Sequence, residues 1–474
     1  MSNGAAGLPL QTPLGGAERV HFIGIGGAGM SAVAKVLLER GRIVSGSDLK
    51  RSRAFTLLEA LGADLRLGHR GSSVDGAGLV VVSSAIPPGN PELKRAGELG
   101  IPVITRGGAL ADILDGQRSI VVAGTHGKTT TTSMVVSILR SSGLDPTYLV
   151  GGGLNDAGSN ARSGRGELAV AESDESDGSF LLLAPSIAIV TNVEADHLDY
   201  WGSLEAIRAG FETWLGRVVP GGSIVVPAAD GWLRAAAART GRRVITFGEG
   251  GDVCARDLEV EPDGTTTLSL ACAGAAEGSG HSAPTHLRVP GLHNVANALA
   301  AVAGVMEAGL AIADAASGLA AYRGVERRFQ IRGTSGGVTV VDDYAHHPTE
   351  VRASLAAAHN GPWRRIVAVF QPHRYSRAPL FGDFGTAFTD ADRVVVTDVY
   401  GAGEAPVPGV TGKLVSDSAS EHLPGRPIAY LPHRAEVVDY LVNSLRPGDL
   451  LLTMGAGDIN TVGEELLGRL GAPE

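Results

Sequence analysis

Val122-Ala123-Gly124-Thr125-His126-Gly127-Lys128-Thr129-Thr130-Thr131 decides the reading of this chain. The apolar run Ser119 to Ala123 leads into it and reads as a buried strand, and Thr132 to Leu139 follows as a helix. A strand, a glycine turn ending in Gly-Lys-Thr and a helix together form a phosphate cradle. Backbone N–H groups at the helix start face oxyanions, Lys128 supplies a point charge, and the Thr129 hydroxyl can ligate Mg²⁺. The spacing departs from the common P-loop, because Val122 stands where that pattern has its first glycine. The blander alternative is a helix-start turn with a solvated lysine. Element order and residue types agree on a nucleotide instead, and an ATP-dependent enzyme is the working answer.

The bulk of the chain fits such an enzyme. At 474 residues it is too long for one ordinary core and predicts two to four domains. Hydrophobic residues make up 44% and charged residues 19%, which excludes global disorder. The net charge of −10 excludes a basic field for nucleic acid or membranes, so anionic ligands must be held by local devices. Cys254 and Cys272 are the only cysteines and lack metal spacing, which points to a reducing compartment. Residues 1–18 lack the basic and apolar regions of a signal peptide, and Ala298 to Tyr322 carries Glu307 and Asp314, so it reads as a packed helix pair rather than a membrane span. A cytoplasmic protein is expected.

Three βα-rich blocks follow, at 19–114, 115–326 and 327–474, each predicting a mainly parallel sheet. The first has strands Val20 to Ile25, Ile43 to Ser47 and Leu79 to Val82; the second adds Leu168 to Ala171 and Ile187 to Val190. Residues 250–290, rich in Gly, Ala, Ser and Thr, read as β-hairpins and loops. The third block has strands Val338 to Val341, Ile366 to Phe370, Val394 to Thr397 and Leu450 to Thr453. The suspicious polar residues share one placement, just after an apolar strand, where open parallel sheets bind ligands.

Gly24-Ile25-Gly26-Gly27-Ala28-Gly29 fits GxGxxG after a strand, with Asp48 ending the next strand. The glycines allow a pyrophosphate to approach the helix N-terminus, which suits a dinucleotide or a UDP-sugar equally well. His69, Ser83, Ser84 and Arg106 are weaker candidates for this pocket. Glu172 sits where an ATP enzyme needs an acid for Mg²⁺, and His197 follows the next strand, although imidazole is an unusual Mg²⁺ ligand and a lone histidine there is more often structural. Asn294 and Asn297 lie three apart and suit either an adenine edge or helix capping. Asp342-Asp343-Tyr344-Ala345-His346-His347-Pro348 packs acids, a phenol and two imidazoles into one loop, which suits substrate binding or proton transfer better than zinc. Arg374 and Arg377 could clamp a carboxylate.

Taken together, these segments resemble the Mur ligase family over essentially the whole chain. The resemblance rests most on Gly124 to Thr131, Glu172-Ser173-Asp174-Glu175-Ser176-Asp177 and Asn192 to His197. His293-Asn294 with Asn297, Arg327-Arg328-Phe329, the Tyr344 to Pro348 loop and the Arg374 segment add to it. It implies three α/β domains around a common cleft: a Rossmann-like first domain for the UDP portion, a P-loop central domain for ATP and a Rossmann-like third domain for the amino acid. It further implies that Lys128 contacts the phosphates, that Thr129 and Glu172 hold a first Mg²⁺ and His197 a second, that Asn294 and Asn297 approach the adenine, and that Arg327 reaches the ATP phosphates. Tyr344, His346, Arg374 and Arg377 would line the amino-acid site. The expected activity is ATP-dependent ligation of L-alanine to UDP-N-acetylmuramate through an acyl phosphate, by a monomer or homodimer whose domains close over the ligands. His346 or Asp343 could deprotonate the amine. The alternatives are a recycling ligase that takes a murein tripeptide and, more distantly, an NAD-dependent dehydrogenase. Two departures stand out. Some sister ligases place a carbamylated lysine by the second metal, yet there is no lysine between Lys128 and Lys413; and Arg106-Gly107-Gly108-Ala109 replaces the Arg-Ala-Glu frequent in relatives.

Overall fold

A computed structural model describes residues 14–155, 158–273 and 282–471. The chain divides into two compact units: Met1–Cys254 with Ala271–Ser282 and Asn297–Ala321, and Ala255–Leu270 with Ala283–Ala296 and Tyr322–Glu474.

The first unit holds two sheets. In one, β1 (Arg19–Ile23), β2 (Ile43–Asp48), β3 (Asp64–Leu67), β4 (Leu79–Val82) and β5 (Val103–Thr105) stand in the order β3-β2-β1-β4-β5, all parallel. Leu79 and Val81 of β4 enter one core while Val80 and Val82 enter another, so the strand is apolar at every position rather than alternating. Chain order reverses between β1 and β4, which opens a ligand crevice above their carboxyl ends. Gly24 to Gly29 and Ser83-Ser84 follow those two strands. The helix Ala28–Glu39 begins inside the glycine fingerprint and buries Met30, Val33, Ala34 and Leu37 on its inner face.

The other sheet of this unit has β6 (Arg118–Ala123), β7 (Thr147–Leu149), β8 (Ala161–Arg162), β9 (Leu168–Glu172), β10 (Ile187–Val190), β11 (Ser223–Pro227) and β12 (Arg243–Phe247) in the order β12-β11-β10-β6-β9-β7-β8. Only the β7–β8 pair among them is antiparallel. The cradle strand β6 is therefore central, and register places its functional neighbours: Val122 pairs with Glu172 on one side, and Ala123 with Val190 on the other. Behind the cradle, the helix Lys128–Ser141 packs against the helix Ile312–Ala321, where Gly318 lies so close to Ile138 that a Cβ would sit 2.5 Å from its Cα. The Ala-rich stretch is thus a helix pair, Leu292–Glu307 and Ile312–Ala321. Of residues 250–290, those described form the neighbouring strands β13 (Val253–Val260), β14 (Thr266–Cys272) and β15 (Ser282–Leu287); 274–281 lie outside the described residues.

The second unit carries β16 (Gln330–Ser335), β17 (Val338–Asp343), β18 (Arg365–Phe370), β19 (Arg393–Val396), β20 (Ile428–Tyr430) and β21 (Asp449–Met454) in the order β16-β17-β21-β18-β19-β20, with β16 antiparallel and the rest parallel. Alternate residues of β18 again enter separate cores. Among the described residues no helix is long and apolar enough to cross a membrane.

Candidate active site

The turn after β6 is built for glycine. Gly124 has φ 136°, and a Cβ there would overlap Thr191 Oγ1 and lie 2.9 Å from the Asn192 carbonyl. Gly127, at φ 79°, starts the helix Lys128–Ser141 without a side-chain cap, leaving backbone donors at its N-terminus for an anion. Two neighbouring amides brace the loop: Thr125 N–H donates to Asn192 O (3.0 Å) and His126 N–H to Asn192 Oδ1 (2.9 Å). Asn297 joins the turn from its own helix, with Oδ1 accepting from Thr131 Oγ1 (3.3 Å) and occupying the space a Cβ on Gly127 would need. Asn294 instead braces its own loop, donating to Pro290 O at 2.7 Å.

Lys128 donates to Glu175 Oε2 (2.8 Å), Gly124 O (2.6 Å) and Thr125 O (3.1 Å). Burial works against its charge, but Glu175, Asp174 and Glu172 outweigh burial and hold the amine above its ordinary value. Three carboxylates around one ammonium leave a surplus of negative charge. Burial first, and then Asp174, push the Glu175 carboxyl up to about 7 against the pull of Lys128, and Glu175 Oε1 is buried without a hydrogen-bond partner. Thr129 Oγ1 donates to Glu172 Oε1 (2.8 Å), while Glu172 Oε2 accepts from Gly151 N–H (2.6 Å). His197 is held at φ 51°, and it, Asp174 and Glu175 each offer a ligand atom within 4.8 Å of the others. A hydroxyl, an excess of carboxylates, an orphaned carboxylate oxygen and an imidazole make a donor set that fits Mg²⁺.

Over the first sheet, Gly26 N–H donates to Asp48 Oδ2 at 2.8 Å, and Ser52 Oγ donates to Gly26 O at 3.2 Å. A Cβ at Gly29 would lie 2.7 Å from Arg106 Nη1, which places the Arg106 guanidinium against the helix start. Arg106 Nη2 in turn faces Asp177 Oδ2 (3.7 Å), which also accepts from Ser84 Oγ (3.0 Å). Ser83 Oγ accepts from Ala85 N–H, and His69 Nδ1 meets Ser47 Oγ at 2.9 Å. The acidic segment after β9 therefore runs from the cradle, through Glu172 and Glu175, to the first sheet through Asp177. Of these acids only Glu172 is marked in sequence by its place at the end of a strand; the density of acids in Glu172-Ser173-Asp174-Glu175-Ser176-Asp177 is the signal for the rest.

In the second unit, Arg327 (φ 60°) donates to Asp342 Oδ2 (3.0 Å), Gly455 O (2.8 Å) and Gly457 O (3.2 Å). Its guanidinium and that of Arg328 lie 5.1 and 5.3 Å from the Tyr344 ring centroid. His346 Nδ1 lies 2.9 Å from Tyr344 O, with its ring edge-on to Tyr344 and His373. Burial, aided by Arg377 and His373 and opposed by Glu350, holds His346 far below the ordinary imidazole value, as a neutral base. Asp343 is spent on bracing: it accepts from Phe329 N–H (3.0 Å), Ala345 N–H (2.8 Å) and Ser354 Oγ (2.9 Å). Arg374 is held at φ 66° and Arg377 is buried on the turn that follows β18.

Known proteins match this chain along its length. Models of the Mur ligase family catalytic domain, the Mur ligase middle domain and the Mur ligase glutamate ligase domain match residues 19–118, 122–305 and 327–457. UDP-N-acetylmuramate–L-alanine ligase of Geotalea daltonii is 45% identical over 455 residues, spanning 96% of this chain and 98% of its own. The protein of the same name from Mycolicibacterium smegmatis is 46% identical over 468 residues, spanning 96% and 95%. Among solved structures, UDP-N-acetylmuramate-alanine ligase from Thermotoga maritima superposes with a TM-score of 0.81 at 31% identity, covering 95% of this chain and 98% of its own. A murein peptide ligase from Psychrobacter arcticus gives 0.72 at 25% identity, covering 96% and 99%. The chain belongs to the Mur ligase family.

Proposed function

We infer that this chain is an ATP-dependent acid–amino-acid ligase that joins L-alanine to the carboxylate of UDP-N-acetylmuramate in peptidoglycan precursor synthesis. The observation that carries the reading is the cradle, in which Lys128 is held among Glu172, Asp174 and Glu175 at the centre of a parallel sheet. A dehydrogenase has no use for it. The relatives at 45 to 46% identity carry the name of the alanine ligase, whereas two murein peptide ligases of solved structure stand at 25 and 31%. Alanine is thus favoured over a tripeptide.

A carboxylate acylates an amine poorly because its leaving group would be oxide. Transfer of the γ-phosphoryl group of ATP to the muramate carboxylate gives an acyl phosphate and ADP; the alanine amine then attacks the carbonyl, and phosphate leaves. Lys128 exchanges Glu175 for phosphate oxygens and neutralises their charge. Thr129, Glu172 and His197 would hold two Mg²⁺ ions, which when bound supply further charge neutralisation on the phosphates. Gly26, Gly27, Gly29, Asp48, His69, Ser83 and Ser84 are read as the nucleotide-sugar site, and Tyr344, His346, Arg374 and Arg377 as the amino-acid site. His346 is favoured over Asp343 as base for the alanine amine, because the Asp343 oxygens are committed to bracing. A cytoplasmic monomer or homodimer belongs to the same reading. Phosphate release assayed with each substrate omitted in turn tests it: sustained turnover requires ATP, UDP-N-acetylmuramate and L-alanine together, and turnover with a tripeptide but not alanine would overturn the choice of acceptor.

A further inference from the structure

Glu92 was not among the residues singled out by sequence. It stands in the first turn of the helix Pro91–Leu99, and its side chain is 0% exposed. Its Oε1 accepts from Arg70 N–H at 3.2 Å. Its Oε2 meets Ser47 Oγ at 2.6 Å and lies 3.4 Å from His69 Nδ1 and 3.6 Å from His21 Nε2. His69 Nδ1 is also 2.9 Å from Ser47 Oγ, and His21 Nδ1 is 2.9 Å from Ser45 Oγ. A buried carboxylate is costly unless donors and cations meet it. Here the Ser47 hydroxyl and the Arg70 amide donate to it, and its place in the first turn of a helix favours its charge. Burial raises the Glu92 carboxyl, but His21, Ser47 and Arg70 outweigh it and keep the group ionised.

Proton accounting then fixes a tautomer. The Ser47 hydroxyl has one hydrogen, and its 2.6 Å contact with an acceptor-only carboxylate assigns that hydrogen to Glu92. Ser47 Oγ can therefore only accept from His69, whose Nδ1 must carry a hydrogen. Nε2 is left for a ligand. The ring also sits where a ligand belongs: Ser47 and Asp48 end β2, Gly68 N–H donates to Asp48 O (2.8 Å), and Asp48 reaches the Gly26 amide of the glycine fingerprint.

We propose that Glu92 is a positioning residue for the nucleotide sugar. Acting through Ser47, it pins the hydrogen on His69 Nδ1 and so leaves the Nε2 lone pair to accept from a hydroxyl or N–H of the nucleotide, beside the Asp48 that ends β2. The proposal rests on the reading of His69 as a nucleotide-sugar contact.

A double-mutant cycle tests it, with UDP-N-acetylmuramate binding measured by calorimetry and KM measured for each substrate. Glu92→Gln weakens UDP-N-acetylmuramate binding about fivefold, the size of one ordinary hydrogen bond, and leaves the KM for ATP and for L-alanine unchanged. In a His69→Ala background it costs nothing further. Ser47→Ala repeats the pattern should Glu92→Gln fold poorly. Nitrogen-15 spectra of the free wild type show His69 as the Nδ1–H tautomer, and Glu92→Gln loses that preference. Equal losses from Glu92→Gln with and without His69, or no loss where His69→Ala has one, overturns the proposal. No effect of His69→Ala removes the underlying placement of His69 instead.

Discussion

At the scale of single residues, Lys128 and His346 carry the sharpest expectations. Lys128→Ala should lower phosphate release by a thousandfold or so, with UDP-N-acetylmuramate binding intact by calorimetry, because the glycine fingerprint belongs to a different sheet of the first unit. The same variant leaves Glu175 buried without its partner, and with the Glu175 carboxyl already at about 7, protonation limits the damage to the fold near neutrality. His346 bears on stability. Its folded-state value lies below that of an unfolded imidazole, near 6.5, so the unfolded chain binds more protons. Stability is therefore full above about pH 6.5 and falls as pH drops below it. Thermal unfolding followed from pH 8 to pH 4 should show that decline, with a shallower slope in His346→Gln; parallel slopes would refute the assignment. Legibility at this scale was partial. Glu172 and His197 stand out in sequence because each comes at or after the end of an apolar strand. Glu92, an acid two residues into a polar helix, carries no local sign of being the centre of a buried network, since its partners His21, Ser47 and His69 come from other stretches of the chain.

Among the elements, the strands that were legible are those buried on both faces. Leu79–Val82 and Ile187–Val190 are unbroken apolar runs, and their bounds match the structure. The strands Asp64–Leu67 and Gln330–Ser335 escaped notice because each is an edge strand with half or more of its residues exposed and with charge or glycine where a buried strand would be apolar; Ile428–Tyr430, also an edge strand, is a run of three residues, too short to stand out. Helix starts were read late for a related reason. Lys128 to Thr131 looked like loop chemistry, yet the helix begins at Lys128, since its first turn is the phosphate site itself. The turn before it has little tolerance. Gly124→Ala forces an L-residue to φ 136° against Thr191 and Asn192. It should destabilise the protein by about 3 kcal/mol, seen as a lower denaturation midpoint, and should abolish ATP binding.

For the molecule as a whole, the placement of lysines distinguishes this chain from sister ligases that use a carbamylated lysine. The lysines stand at 35, 50, 94, 128 and 413, and none lies among the central strands and loops beyond the cradle. Turnover should therefore be unchanged when carbon dioxide and bicarbonate are stripped from the buffer, and a drop on stripping, restored by bicarbonate, would contradict the metal scheme. The first unit also shows how an enzyme for anionic substrates stays poised between turnovers. Asp48 rests on the Gly26 amide, Glu175 on Lys128 and Asp177 beside Arg106. Where these groups are the phosphate seats proposed above, each is already held by a carboxylate of the chain, so an arriving nucleotide must evict an acid rather than fill a gap.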